Sequence, residues 1–351
     1  MASSKRSLSR FRYGSRCGTG VARTGVTPGA PPDRHGRVPI VVPAGLPGAP
    51  THGRLARMVV RVGISGWRYA PWRGVFYPRG LPQRLELEYA AQRLTSIELN
   101  GSFYALQRPA SYQAWAAQVP EDFVFSVKGP RFVTHMKKLA DVRVPVANFF
   151  ASGVLAFGPR LGPVLWQLPP TLGFDEDRLA RFFTLLPRTT AAAAALATEH
   201  DERLDGRSWT TVDADRPLRH VLEVRHTTFE QPAFVALARE HDVGLVVADT
   251  AGRWPRIEDV TSDLVYVRLH GDSELYTSGY DEPAIDRWAR RVRAWSAGTE
   301  PVDARRLGPP AAPAPAGRDV FVYFDNDTKV RAPFDAQALL ARLDALARDP
   351  V

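Results

Sequence analysis

The chain has 351 residues, 44% hydrophobic and 24% charged, enough for one large barrel or two ordinary domains. Its net charge of +9 resides in the N-terminal segment. Residues 1–57 hold ten Lys or Arg and one acid, Asp33, leaving 36 of the 46 basic and 36 of the 37 acidic residues to balance over the remainder. A neutral body gives no bulk argument for nucleic-acid binding. The single cysteine, Cys17, excludes an intrachain disulfide and a Cys-ligated zinc or iron–sulfur centre, and no run reaches the roughly 18 apolar residues of a membrane span.

Residues 1–57 are rich in Arg, Gly, Pro and Ser and show no periodicity, so they are expected to be a disordered basic tail. Two other readings stay open: a start assigned too early, with Met58 as the true beginning, and a nucleic-acid-binding arm; the composition also imitates an organelle transit peptide, but its Pro and Gly content argues against an amphipathic helix. No apolar segment with a cleavage site follows the basic residues, so a secretory signal is not expected. The cysteine usage fits a cytoplasmic protein.

From residue 58 onward the chain reads as a single domain. Eight short apolar runs follow: Val59–Gly66, Ser96–Phe103, Phe123–Gly129, Val164–Leu168, His220–His226, Gly244–Asp249, Leu264–Gly271 and Val320–Asp327. Helical stretches are predicted at 83–94, 111–118, 144–157, 175–186, 231–241, 282–297 and 335–348, with a Trp254-containing loop after the sixth run. Two insertions break the rhythm. Residues 187–219 are expected to be ordered on the rim, and the Pro- and Ala-rich 298–317 to be flexible. Eight strands alternating with helices predict a TIM-type (β/α)₈ barrel, whose active sites lie at the C-terminal ends of the strands.

Those ends carry the chemistry. Period-two alternation puts Glu98 with Asn100, Glu223 with Arg225, and Arg268 with His270 on shared faces. Ionisable groups facing a packed barrel must pair or hold a ligand. Glu98, Glu223 and His270 are the candidate acid–base residues; structural ion pairs with Arg225, Arg268 or Lys128 are the competing reading. Trp67, Asn100, Lys128, Arg131, Gln167, Arg225 and Arg268 are the candidate substrate-binding residues, with Arg suited to phosphate or carboxylate. His226, Asp249 and Asp325 are candidate ligands for a divalent metal, although no local metal motif such as H-E-x-x-H occurs. His135, Lys137 and Lys138 lie in a long loop that forms either a lid or a solvated turn. No G-x-G-x-x-G opens a helix and no P-loop occurs, so no nucleotide cofactor is expected.

Several ordered motifs carry a resemblance. They are Gly63-Ile-Ser-Gly-Trp-Arg-Tyr69, Trp72-Arg-Gly-Val-Phe-Tyr-Pro78, Glu98-Leu-Asn-Gly-Ser-Phe-Tyr104 and Phe125-Ser-Val-Lys-Gly-Pro-Arg131 with Thr134-His135, followed by Gln167-Leu-Pro-Pro170, Glu223-Val-Arg-His226, Arg268-Leu-His-Gly271 and Tyr323-Phe-Asp-Asn-Asp327. In this order, over about residues 59–345, the chain resembles the YecE-like family, domain of unknown function seventy-two. The resemblance implies a barrel shaped like the xylose-isomerase-like enzymes and carries no established activity. The basic tail and both insertions exceed the family's shorter members.

The expected function is an acid–base, metal-assisted or metal-free isomerase or hydrolase acting on a small polar, anionic or sugar-like substrate. The alternative is a non-catalytic protein that binds nucleic acid or a phosphorylated ligand. On this reading Glu223→Gln harms ligand binding more than stability. Because residues 1–57 lack apolar periodicity, deleting them is expected to leave the thermal melt within a degree or two of the full chain, and a drop of many degrees would show that they pack on the barrel.

Overall fold

The structure, a computed structural model, describes residues 59–348; the expectations for residues 1–57 lie outside them. Eight parallel strands close into a barrel in chain order. They are β1 (Val60–Ser65), β2 (Ser96–Leu99), β3 (Val124–Lys128), β4 (Leu161–Gln167), β5 (His220–Glu223), β6 (Gly244–Asp249), β7 (Leu264–Leu269) and β8 (Asp319–Phe324). Most are rich in β-branched or aromatic residues and buried along nearly their whole length, as expected of strands covered on both faces. Pairing of Val60 with Val320 through Ile64 with Phe324 completes the ring.

The helices among the described residues are α1 (Glu86–Ala91), α2 (Gly101–Tyr104), α3 (Pro109–Ala116), α4 (Arg143–Ala151), α5 (Glu176–Leu185), α6 (Thr190–Ala197), α7 (Pro232–Glu240), α8 (Glu282–Ser296) and α9 (Ala332–Arg348). Their starts follow local chemistry. Asp175, Thr189 and Asp281 accept hydrogen bonds from the backbone N–H three residues on, and Pro stands in the first turn of α3, α7 and α8. The helix α8 buries Ile285, Trp288, Val292 and Trp295 against the barrel and leaves its charged residues outside. No helix among the described residues is long and apolar enough to cross a membrane.

Register decides which side chains enter the lumen. Leu165, Val221, Val246, Ala248, Leu264, Tyr266, Phe321 and Tyr323 fill it with one apolar cluster. Two hydroxyl pairs lie within that filling: Ser96 with Tyr323 at 2.6 Å, and Ser126 with Tyr266 at 2.8 Å. One step of two residues further along each strand, on the same face, stand Ser65, Glu98, Lys128, Gln167, Glu223 and Arg268. The lumen therefore changes from apolar through hydroxyl to charged as it approaches the C-terminal mouth.

Three sequence expectations change. The second run does not stay extended to Phe103: β2 ends at Leu99 and the chain turns into α2. The 144–157 helix is two pieces, because Gly153 takes φ +115° and breaks α4 from a following 3₁₀ segment. Residues 298–317 contain no helix or strand, yet they are tied down. The Asp259 carboxylate accepts from the Leu307 and Gly308 backbone N–H groups, and Arg239 donates to the Pro309 carbonyl. No helix stands between β6 and β7, and this segment packs beside the chain that joins them. The 187–219 insertion is ordered, with α6 against α4 and the Asn148 side chain accepting from the Asp201 N–H.

Gly63 sits at a close approach of two barrel strands, where a Cβ would stand 1.9 Å from the Ser96 carbonyl oxygen. Gly63→Ala must push β1 from β2 and is expected to cost on the order of 3 kcal/mol, read as a large fall in urea midpoint. A midpoint unchanged within error would show that the two strands separate at no cost.

Candidate functional site: the charged mouth of the barrel

The mouth is organised around one guanidinium. Arg268 leaves the end of β7 inward and is fully buried. Its Nε and Nη2 donate to the two oxygens of Glu98 at 2.9 Å each, a bidentate pair. Nη1 donates to Glu223 at 2.5 Å, and Nη2 also reaches Asp325 at 2.8 Å and the Ser65 hydroxyl at 3.3 Å. Five strands, β1, β2, β5, β7 and β8, thus converge on one cation at or just beyond their ends.

The carboxylates are equally committed. Glu98 accepts further hydrogen bonds from Ser65 at 2.7 Å and Tyr266 at 2.8 Å, so both of its oxygens are filled. The second oxygen of Glu223 accepts from Arg225 Nε at 2.8 Å. Burial pushes the Glu223 carboxyl up, but Arg268 and Arg225 outweigh it and hold it far below the usual carboxylate range. Asp325 behaves likewise: burial raises it, and Arg268 and His270 bring it down to about 2. Glu98 and Glu223 are brought together as the sequence suggests, but as partners of arginine. Each Glu98 oxygen accepts two hydrogen bonds, and each Glu223 oxygen accepts one from an arginine.

His270 is also enclosed. Its Nε2 faces Arg268 Nη1 at 3.3 Å, and a guanidinium only donates, so the ring proton sits on Nδ1. That nitrogen is 3.1 Å from Asp325, off the line of a good hydrogen bond. Tyr276 closes over the ring edge-on at 5.4 Å. Arg225 stacks over Trp254 at 3.8 Å.

The opposite side of the mouth is open chemistry. Lys128, at the end of β3, is 7% exposed, and its Nζ has no hydrogen-bond or ion-pair partner among the described residues. It lies 4.4 Å over the Phe103 ring. Burial and the Arg268 charge bring its pKa from 10.5 down to about 8, against the upward pull of Glu98, Glu223 and Asp325. On the neighbouring strand β4 the buried Gln167 amide makes no side-chain hydrogen bond among the described residues, and at the end of β2 the Asn100 Oδ1 is buried without a partner. Arg131 is exposed just beyond β3. His135, on the turn that follows, is held down to about 4 by burial and by Lys128, Arg225 and Arg131.

The metal ligands proposed from sequence do not converge. Asp249 shares its strand face with Leu245 and Val247, so it points to the helix layer, where the Tyr280 hydroxyl donates to it at 3.2 Å. His226 lies past the end of β5, where strand alternation no longer applies, and its Nδ1 accepts the Thr228 N–H as a turn cap. Among the described residues no three His, Cys, Asp or Glu side chains are gathered as a metal site requires. Trp67 also leaves the mouth: after the turn at Gly66, φ +78°, it packs edge-on against Trp115. Tyr69 and Asp327, which the sequence places near the strand ends, also stand at the mouth. Tyr69 donates to the Ser65 carbonyl at 2.6 Å, and Asp327, just past β8, is pushed up to about 6 by burial and by Asp325.

This is a (β/α)₈ barrel whose C-terminal mouth is built on a buried arginine–carboxylate cluster beside a lysine without a partner among the described residues. Residues 61–350 match the family described as "Protein of unknown function DUF72". The chain belongs to that family. Among relatives, it is 28% identical to the UPF0759 protein YecE of Escherichia coli K12 over 130 residues, 37% of this chain and 45% of that one. It is 24% identical to the UPF0759 protein YunF of Bacillus subtilis over 127 residues, 35% of this chain and 44% of that one. The matched stretch therefore spans less than half the length of these relatives. Among solved structures, the barrel is similar to a DUF72 family protein (TM1631) of Thermotoga maritima, with TM-score 0.60, 21% identity, and coverage of 83% of this chain and 99% of that one. The DUF72 family protein EF0366 of Enterococcus faecalis gives TM-score 0.57 at 16% identity, over 82% and 96%.

Because Glu223 carries two arginines, Glu223→Gln is expected to destabilise the fold by about 3–5 kcal/mol, the outcome that a structural ion pair demands. The depressed carboxylates make a contribution that is complete above about pH 4.5 and lost as pH falls toward 2. Urea titrations from pH 7 to pH 2 should show that loss in the parent and a shallower one in the variant. A variant as stable as the parent at pH 7 would remove the cluster's structural role.

Proposed function

We propose that the chain is a barrel enzyme that seats a small anionic substrate on the β2–β4 side of the mouth and moves a proton there through Lys128. One observation carries this reading: a nearly buried lysine whose ammonium has no hydrogen-bond or ion-pair partner among the described residues, with Gln167 and Asn100 at the ends of the adjacent strands. An unpaired buried cation is costly, and a fold that keeps one holds a place for an anion. Arg131 and Arg225 add positive potential at the same opening.

The electrostatics of the mouth agree with proton transfer: burial and the Arg268 charge lower Lys128 to about 8, close to neutrality, where acid–base groups work best. Acid–base isomerisation or hydrolysis is the reaction class this serves. The arginine cluster is the rigid wall that positions Lys128 without touching the reacting atoms. The locked Glu98 and Glu223 favour one second reading, a binding protein for a phosphorylated ligand or nucleic acid that uses Lys128 for affinity alone. Turnover in a screen of phosphorylated and carboxylated metabolites separates the two.

Lys128→Met is expected to raise the melting temperature at pH 7. The lysine's shift from 10.5 to about 8 corresponds to roughly 3 kcal/mol against the charged form, and Met keeps the packing without the charge. The same variant should lose the stabilisation that millimolar phosphate gives the parent. In the parent, phosphate stabilisation should fade as pH rises through 8, because the amine is then neutral. Undiminished phosphate stabilisation in Lys128→Met would contradict the reading.

A further inference from the structure

Beside the mouth, on its β2–β3 side, lies a groove of about 380 Å³ whose walls are mostly apolar. Phe103, Tyr104, Phe132 and Met136 line it, with Arg131 among them. Two of these are unusual for a protein surface: Tyr104 is 70% exposed and Met136 is 63% exposed. The volume falls in the range of small-molecule sites.

Phe103 joins groove and mouth. Its ring lines the groove and also lies beneath the Lys128 ammonium at 4.4 Å. The His135 ring meets Phe103 edge-on at 5.1 Å, and His135 feels the charges of both Lys128 and Arg131. The unpaired cation and the apolar groove are thus separated by one aromatic side chain. A ligand that engages Lys128 alone leaves Tyr104 and Met136 in water. One that carries an apolar body beside its charge covers both, with Arg131 at the groove to hold it electrostatically.

We propose that the ligand of this mouth is an amphipathic anion, a phosphate or carboxylate joined to an aromatic or branched aliphatic body, with the charged group at Lys128 and the body in the Phe103–Tyr104–Met136 groove. The proposal rests on the anion-binding reading of Lys128 and narrows it from any small anion to this class. A bare sugar phosphate, whose body is polar, gains nothing from the groove.

The test compares matched probes on the full chain by calorimetry at pH 7: inorganic phosphate against phenyl phosphate, and acetate against benzoate. The phosphate and carboxylate pairs identify which anionic group the mouth accepts. The aryl member is expected to bind at least tenfold more tightly than its small partner. In the double variant Tyr104→Ala/Met136→Ser, at two exposed positions, that ratio should fall below twofold, with an unaltered circular-dichroism melt showing that the fold is intact. Aryl and small anions binding equally to the parent would overturn the groove assignment while leaving Lys128 as an anion site. A tenfold ratio that survives in the double variant would place the apolar body elsewhere and also overturn it. Binding of none of the four probes would overturn the Lys128 reading itself, and this proposal with it.

Discussion

A guanidinium buried at the end of a barrel must satisfy five N–H donors without water. The mouth of this protein is the solution to that requirement. Arg268 takes both oxygens of Glu98, one of Glu223 and one of Asp325, with Ser65 and His270 filling the remaining directions. The three carboxylates and Ser65 come from four other strands, so the cluster ties five strands together. Removing any one charge strands another in a low-dielectric space, which makes the cluster all-or-none. The Ser126–Tyr266–Glu98 hydrogen bonds extend the same order down into the lumen.

The cluster also decides what the mouth can do. It holds Glu98 and Glu223 as partners of arginine and sets His270 against Arg268. It leaves Lys128 across the opening, close enough to feel Arg268 and the three acids but paired with none of them. On the side of the mouth formed by β2, β3 and β4, polar groups without partners among the described residues sit beside an apolar groove.

Much of this was legible in the sequence, for a definite physical reason. Side chains alternate strictly along a strand, so the runs that end in Glu98, Lys128, Gln167, Glu223 and Arg268 had to deliver those residues to one face. Asp249 failed the same rule by one residue: Val246 and Ala248 face the lumen, and Asp249 therefore faces the helices. His226 and Trp67 stand beyond the last paired residue of their strands, where a turn resets the direction. Which ionisable groups pair and which stay single depends on distances across the barrel, and no local pattern encodes those. Tyr266 was recoverable, since it shares the face of Arg268 two residues away. The exposure of Tyr104 and Met136 was not, because it depends on how α2 and the turn after β3 meet.

Lys128, nearly buried and without a partner among the described residues, is proposed to be held ready for an anion. The most direct measurement is the side-chain titration of Lys128 by NMR on lysine-labelled protein, with its resonance assigned by Lys128→Met. The account predicts a midpoint near pH 8 in the free protein, moving upward when an anion such as phosphate is bound, because the added negative charge favours the ammonium. A midpoint in the ordinary lysine range near 10.5, unmoved by any anion, would contradict it.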